Sequence, residues 1–143
     1  MIKKNNKKKK SLRQAKKTAW IMFSKYIRMR DCLKTLNSTK YGLCCTCGKM
    51  FKFEELQAGH FTSGRKLSTL FDEINVHAQC RACNIFKQGN KFEYAAFMIK
   101  RYGEDEILNL HTKDHVIKKY SVNDYLEIEQ EYKIKYFELL KEK

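Results

Sequence analysis

The sequence predicts a mainly helical α+β fold, and three observations carry that prediction. Apolar residues recur at three- and four-residue steps over residues 12–33, and the same period returns over 92–102 and 122–140. Between these stretches, residues 44–90 lose the helical period and hold two Cys-x-x-Cys turns, Cys44–Cys47 and Cys80–Cys83, with 32 residues between them. No proline occurs in the 143 residues, so helices can run unbroken and turns fall to the six glycines and to Asn.

Residues 1–10 carry six Lys and little that is apolar, a self-repelling arm expected to be disordered. The rest, 11–143, is expected to be one domain. Its first element is a basic helix over 11–36, in which Leu12, Ala15, Ala19, Met22/Phe23, Tyr26, Met29 and Leu33 mark the apolar side, with the period ending near Lys34. Residues 37–43 read as a loop. The block 41–92 is irregular, with short strands at 50–53 and 55–61, a loop through Ser63-Gly64-Arg65, and a turn at Asp72 to Asn75 leading into Val76-His77-Ala78. The helices of 93–143 follow: one stopped by Gly103, a short one over Glu104 to Leu110, and a last one capped by Ser121 with Asp124 three residues on.

Charge is distributed unevenly. The net charge is +14, yet residues 1–40 hold 14 basic residues against the single acid Asp31, whereas residues 41–143 hold 16 against 15. A near-neutral body with a cationic N-terminal segment favours a polyanion such as nucleic acid. Lys7, Lys8, Lys9, Lys10, Arg13, Lys16 and Lys17 are therefore the candidate phosphate contacts, with Arg65 as a further clamp; a solvated charge run is the plainer alternative. No apolar run approaches the roughly 20 residues that span a bilayer, and Ser24 and Lys25 interrupt the short apolar run Trp20–Phe23, so neither a membrane partner nor a secretory leader is expected. The expected compartment is a reducing cytoplasm.

In such a compartment paired cysteines hold metal more often than they form disulfides. Two dithiol turns supply four soft ligands, the set a tetrahedral Zn²⁺ requires, and Gly48 directly after Cys47 permits a tight turn. Cys44, Cys47, Cys80 and Cys83 are the expected zinc ligands, while Cys45 and Cys32 are expected to pack. A zinc closed by four thiolates has no open position, so its role is structural; in small zinc peptides such binding supplies about 10–16 kcal/mol of folding energy.

Between the first turn and the end of the second lie His60, Asn75, His77 and Asn84. A His, then an Asn, then a His or Asn at the start of a helix is the HNH order of the ββα-metal nuclease hairpin. Phosphodiester hydrolysis needs a base, which neutral His supplies near pH 7, and a divalent cation at the scissile phosphate. His60 is the candidate base. Asn84 offers a hard oxygen to catalytic Mg²⁺ or Mn²⁺ beside His60, and Asn75 would bind the loop backbone and hold the His60 strand in register. His77 is open between an active-site contact and support of the zinc turn. Each has a plainer alternative: a satisfied core histidine, a turn residue, a helix cap.

Together these residues give the chain a resemblance to the phage NinG family, also called Rap. The resemblance rests on Cys44-Cys45-Thr46-Cys47-Gly48, Gln57-Ala58-Gly59-His60-Phe61, the run Phe71 to Asn84 and Lys87-Gln88-Gly89-Asn90, and continues through Tyr94, Ile99 and Tyr102-Gly103 into the last helix. It implies a metal-dependent endonuclease of branched DNA, Holliday junctions and D-loops, in the cytoplasm of an infected host. Cys83-Asn84 also resembles the corresponding pair of phage endonuclease VII. Two departures from the wider HNH pattern stand out. Many members place Asp or His directly before the base, where this chain has Gly59, and the last letter is Asn84 rather than His. Gln57, Asp72, Glu73 or His77 would have to complete the catalytic cation's shell.

Three readings follow: a structure-selective endonuclease, an HNH enzyme that nicks or reads a sequence in duplex DNA, and a non-catalytic zinc-knuckle module that coats DNA or recruits a recombinase. A resolvase that cuts two strands in concert is expected to be a symmetric homodimer.

Overall fold

The computed structural model describes residues 8–62 and 66–142. Lys7, most of the expected disordered arm, and Arg65 lie outside the described residues. The first element is α1 (Leu12–Leu36), opened by Ser11, whose hydroxyl accepts from the Gln14 N–H while the Gln14 side chain reaches back to the Ser11 N–H. Asn37 ends it in a left-handed conformation (φ 49°). The buried side of α1 is Ala15, Ala19, Phe23, Ile27 and Cys32. Leu12, expected on that side, is 53% exposed.

The irregular block contains two antiparallel pairs. Strands β1 (Tyr41–Leu43) and β2 (Met50–Lys52) form the first, with Gly42 opposite Phe51. Residues 41–43 were expected in a loop; three residues ending at a cysteine carry too short an alternation to be read as a strand. The second pair is β3 (Leu56–His60) with β4 (Val76–Cys80), in the register Leu56–Cys80, Ala58–Ala78 and His60–Val76. A single helical turn, α2 (Leu67–Leu70), absent from the expected elements, sits in their connection. After β4 come a π-helical turn (Ala82–Phe86), α3 (Lys91–Tyr102), α4 (Glu104–Asp114) and α5 (Val122–Lys141). Gly103 (φ 84°) separates α3 from α4, a backbone angle that glycine adopts without strain. Ser121 and Asp124 form a reciprocal cap on α5. The fold is thus mixed α+β, mainly helical, with two small two-stranded sheets among the described residues.

The β3–β4 hairpin lies between two apolar layers. Leu56 and Ala58 alternate with Gln57 and Gly59, so the first pair faces α1. There Ala58 and Val76 pack on Phe23, Ile27 and Tyr132 of α5, while Leu56 and Ala78 pack on Cys32. On the other face, Tyr94 and Met98 of α3 form a second core with Leu110 of α4. Because both faces are covered, all five residues of β4 are buried.

The outer edge of β4 is also closed. Asp31 Oδ2 accepts from the Ala78 N–H (2.7 Å), the Cys45 N–H donates to the Ala78 carbonyl (2.9 Å), and Arg30 donates to the carbonyls of Glu73 (2.8 Å) and Val76 (2.9 Å). Among the described residues no strand covers the outer edge of β3. That edge is where the molecule opens. No helix of the described residues is long and apolar enough to cross a membrane.

Candidate metal centre and functional groove

The β1–β2 turn and the end of β4 bring four thiols together. The sulfurs of Cys44, Cys47, Cys80 and Cys83 all lie within 4.8 Å of one another, with Cys47 Sγ 3.9 Å from Cys80 Sγ. Tetrahedral zinc at about 2.3 Å from each sulfur requires edges of about 3.8 Å, so the four could hold a zinc ion with small adjustments. Gly48, at φ 72°, closes the first turn by donating its N–H to the Cys44 carbonyl (2.9 Å). The sulfurs also receive hydrogen bonds: Cys80 from the Cys83 N–H (3.4 Å) and Cys83 from Asn90 Nδ2 (3.6 Å). Burial would raise the Cys44 thiol, but hydrogen bonds from Thr46 and the backbone at Cys47 and Cys80 outweigh it and bring the pKa down to about 6. Burial pushes Cys80 up to about 12. Cys45 packs by Tyr94 and Met98, and Cys32 lies in the core, as expected of both.

His60 ends β3 on the α1 side. Its ring stacks on Trp20 with centroids 5.0 Å apart and planes 19° from parallel. Nε2 lies 3.1 Å from the Leu70 carbonyl oxygen. A carbonyl can only accept, so Nε2 carries the hydrogen and the neutral ring keeps its lone pair on Nδ1. Burial, with Lys91 adding to it, lowers the His60 pKa below 6.5 despite the opposing Leu70 contact, which leaves the ring neutral at pH 7. Arg13, Lys16, Lys17, Trp20 and Leu70 surround it in an open pocket of about 400 Å³.

Asn84, in the π-helical turn, approaches the strand from the opposite face. Its Nδ2 donates to Gln57 Oε1 (2.9 Å), and its Oδ1 lies beside Gly59. An adjoining pocket of about 440 Å³ runs along the open edge of β3 between Ser24, Arg28, Gln57 and Asn84, and Trp20 lines it too. Trp20 is the wall shared by the two pockets (together, the groove), which lie side by side against α1 from Arg13 to Arg28. Gly59 is required there, because a Cβ would collide with Gln79 Oε1. Gln79 is fully buried, and its Nε2 ties Thr46 of the first cysteine turn (3.1 Å) to the Gly89 carbonyl (2.9 Å).

Asn75 is fully buried and braces the loop after His60: Oδ1 accepts from the Thr62 N–H (2.8 Å) and Nδ2 donates to the Thr69 carbonyl (3.1 Å). His77 lies away from the groove. It is 1% exposed, with Nδ1 3.2 Å from the Tyr94 hydroxyl and Nε2 2.7 Å from that of Tyr102, and burial lowers its pKa to about 3. Of the two roles left open for His77, an active-site contact and support of the zinc turn, its ring contacts match neither: both nitrogens meet tyrosine hydroxyls of α3. Of the four residues expected to complete a cation's shell, only Gln57 adjoins Asn84. Asp72 caps its own turn and pairs with Lys113 (2.7 Å), and Glu73 meets Lys135 (3.2 Å) and Tyr132 (3.2 Å). Lys8, Lys9, Arg13, Lys16 and Lys17 are exposed, while Lys10 pairs with Glu129 across to α5 (3.4 Å). The residues sequence reasoning missed are Trp20, Arg28, Lys91 and Gln79. Trp20 alone carried a signal, as the only tryptophan, set in the middle of a basic helix.

No solved structure gives a significant match to this chain. Protein ninG of Salmonella phage P22 is 31% identical over 93 residues, which are 64% of this chain and 45% of that protein. Protein ninG of Escherichia phage 933W is 30% identical, and that of Escherichia phage lambda 29%, over the same shares. The matched region spans less than half the length of these curated relatives. The family model described as bacteriophage lambda NinG protein matches residues 1–142. With that match covering nearly its whole length, the chain belongs to the phage NinG family.

Proposed function

We propose that the chain is a divalent-metal-dependent endonuclease of the HNH type that hydrolyses phosphodiester bonds in branched DNA. One observation carries the reading: a histidine held neutral, with Nε2 bound by the Leu70 carbonyl and its lone pair left on Nδ1, stands in a groove walled by Arg13, Lys16 and Lys17. The surroundings support it. A β-hairpin carrying His60 is followed at once by a helical turn carrying Asn84, the order of a ββα-metal hairpin. Preference for branched substrates comes from the family resemblance rather than from the groove.

In this mechanism the cations of α1 hold the DNA backbone along the open edge of β3. His60 Nδ1 takes a proton from water as the water oxygen bonds to phosphorus and the sugar oxygen leaves. Trp20 and the Leu70 carbonyl keep the ring in place, and Asn75 fixes the loop from which Leu70 projects. A bound divalent cation would neutralise charge at the phosphate and the leaving oxygen. Asn84 Oδ1, with Gln57 beside it, would hold that cation. Both are hard oxygen donors and both are neutral, so substrate phosphate must supply the anionic ligands.

That neutral donor set also favours a second reading, a zinc-knuckle module that binds DNA without cutting it, because among the described residues only the four cysteines form a metal-binding group of His, Cys, Asp or Glu. Incubating the protein with a four-way junction, a D-loop, a linear duplex and a single strand, in Mg²⁺ or Mn²⁺, separates the two. Cleavage of the branched substrates well ahead of the linear ones is the expected result. Binding without cleavage under either metal would leave the module. A symmetric dimer is part of the proposal, since paired cuts need two sites; α5 exposes Leu126, Ile134 and Phe137, and sedimentation measures the state directly.

A further inference from the structure

Two aromatic rings play no part in the mechanism above. Phe86 and Phe92 are 73% and 85% exposed, the most exposed aromatic side chains among the described residues. Phe86 follows Asn84 by two residues in the π-helical turn, and Phe92 is the second residue of α3. Neither belongs to any of the apolar clusters that build the molecule. A ring of this size left in water forfeits a large burial gain.

The segment between them is held rigidly. Gln88, Gly89 and Asn90 take successive left-handed conformations (φ 50°, 89° and 47°). The Gly89 N–H donates to the Cys83 carbonyl (2.9 Å), Gln79 Nε2 to the Gly89 carbonyl (2.9 Å), and Asn90 Nδ2 to Cys83 Sγ (3.6 Å). Lys91 Nζ then donates to the carbonyls of His60 (2.6 Å) and Phe61 (2.7 Å), which docks the start of α3 on the strand end that carries His60. The rings thus stand on a loop fixed from one side by the cysteine turn and from the other by β3. Cations stand beside both rings: residues 81–92 contain Arg81, Lys87 and Lys91 and no acid, while the nearest acids are Glu93, next to Phe92 in α3, and Glu54 and Glu55, which share a pocket with Arg81. The Arg81 guanidinium lies 5.8 Å from the Phe86 ring centroid.

Rigid exposed aromatic faces interleaved with cations match one ligand chemistry, nucleic-acid bases whose faces are free, with phosphates alongside. Linear duplex keeps its bases stacked and offers few such faces; a branch point offers several. We infer that Phe86 and Phe92 form an aromatic platform that stacks on unpaired or unstacked bases at a DNA branch point and so confers a preference for branched over linear DNA. The inference rests on the proposed function for its choice of DNA, but it concerns binding and not cleavage.

The test is equilibrium binding of zinc-loaded protein, with no Mg²⁺ or Mn²⁺ added, to a four-way junction and to a linear duplex of equal length. The Phe86→Ala/Phe92→Ala variant should lose about tenfold or more in junction affinity, with duplex affinity within about twofold and zinc content unchanged. Phe86→Trp should keep the preference, and its fluorescence, after subtraction of the change that Trp20 gives in the wild-type protein, should shift with the junction and not with the duplex. Equal loss on both DNAs, an unchanged junction-to-duplex ratio, or a wild-type dimer that the double alanine variant dissociates would each overturn the inference, the last by showing the rings to be a contact between copies. A wild-type protein that cuts nothing yet shows a junction preference dependent on both rings would sink the nuclease reading and uphold this one.

Discussion

A histidine serves as a base only when it is neutral and one ring nitrogen is left with its lone pair, and both conditions are set by neighbours that a sequence does not display. His60 was legible as a candidate from its place between two cysteine turns. The Trp20 stack and the Leu70 carbonyl were not, because they come from residues 40 positions before and 10 after it, joined only by packing. Their effect is testable through pH. The base form exists above the pKa, and burial holds that pKa below 6.5, so the acid limb of the cleavage profile should lie below pH 6.5 in the wild-type protein. Trp20→Ala admits water to the ring and should move the limb up toward 6.5 while lowering the rate. A limb that stays in place would show that Trp20 does not set the environment of the ring. Asn75 is an intermediate case: an Asn before a strand in a turn-rich segment is readable as a brace, but its partners, Thr62 and Thr69, are set by the folded loop and not by sequence neighbourhood.

Among elements, the helices were the most legible, since the 3.6-residue period and the Ser11, Ser121 and Gly103 boundaries are written in consecutive residues. The short pieces were not. Strand β1, helix α2 and the π-helical turn span three, four and five residues, too few for a period to show. The cysteine cluster holds β1 and the π-helical turn, joining the β1–β2 turn to the end of β4 and, through Gln79 and Asn90, to the loop before α3. Helix α2 is held instead at Thr69, whose hydroxyl donates to Asp114 (2.9 Å) and whose carbonyl accepts from Asn75 (3.1 Å). Zinc binding at the cysteine cluster should act as folding energy for the whole middle of the chain. Metal analysis of the purified protein is expected to give about one zinc per chain, and Cys80→Ser should lose the zinc and the cooperative unfolding transition together. Retention of a sharp transition in a zinc-free protein would show that the apolar layers of α1 and α3 suffice without metal.

At the scale of the molecule, sequence already separated a cationic N-terminal segment from a near-neutral body; the fold adds that this charge lies along the groove holding His60. Arg13, Lys16 and Lys17 wall the His60 pocket, and Arg28 continues the line toward Asn84. Such cations carry affinity for any DNA and little sequence information. Replacing Arg13, Lys16 and Lys17 by Ala should weaken binding to junction and duplex alike and flatten the slope of log K against log salt by about 0.7–0.9 for each phosphate no longer neutralised. An unchanged slope would make these residues a solvated face.

The central claim, that His60 is the base of a nuclease, is tested most directly by His60→Ala in single-turnover cleavage of a four-way junction, with zinc content and junction affinity measured on the same preparation. The account predicts a rate lower by about 10²–10⁴-fold with zinc and affinity unchanged; cleavage at the wild-type rate would contradict it.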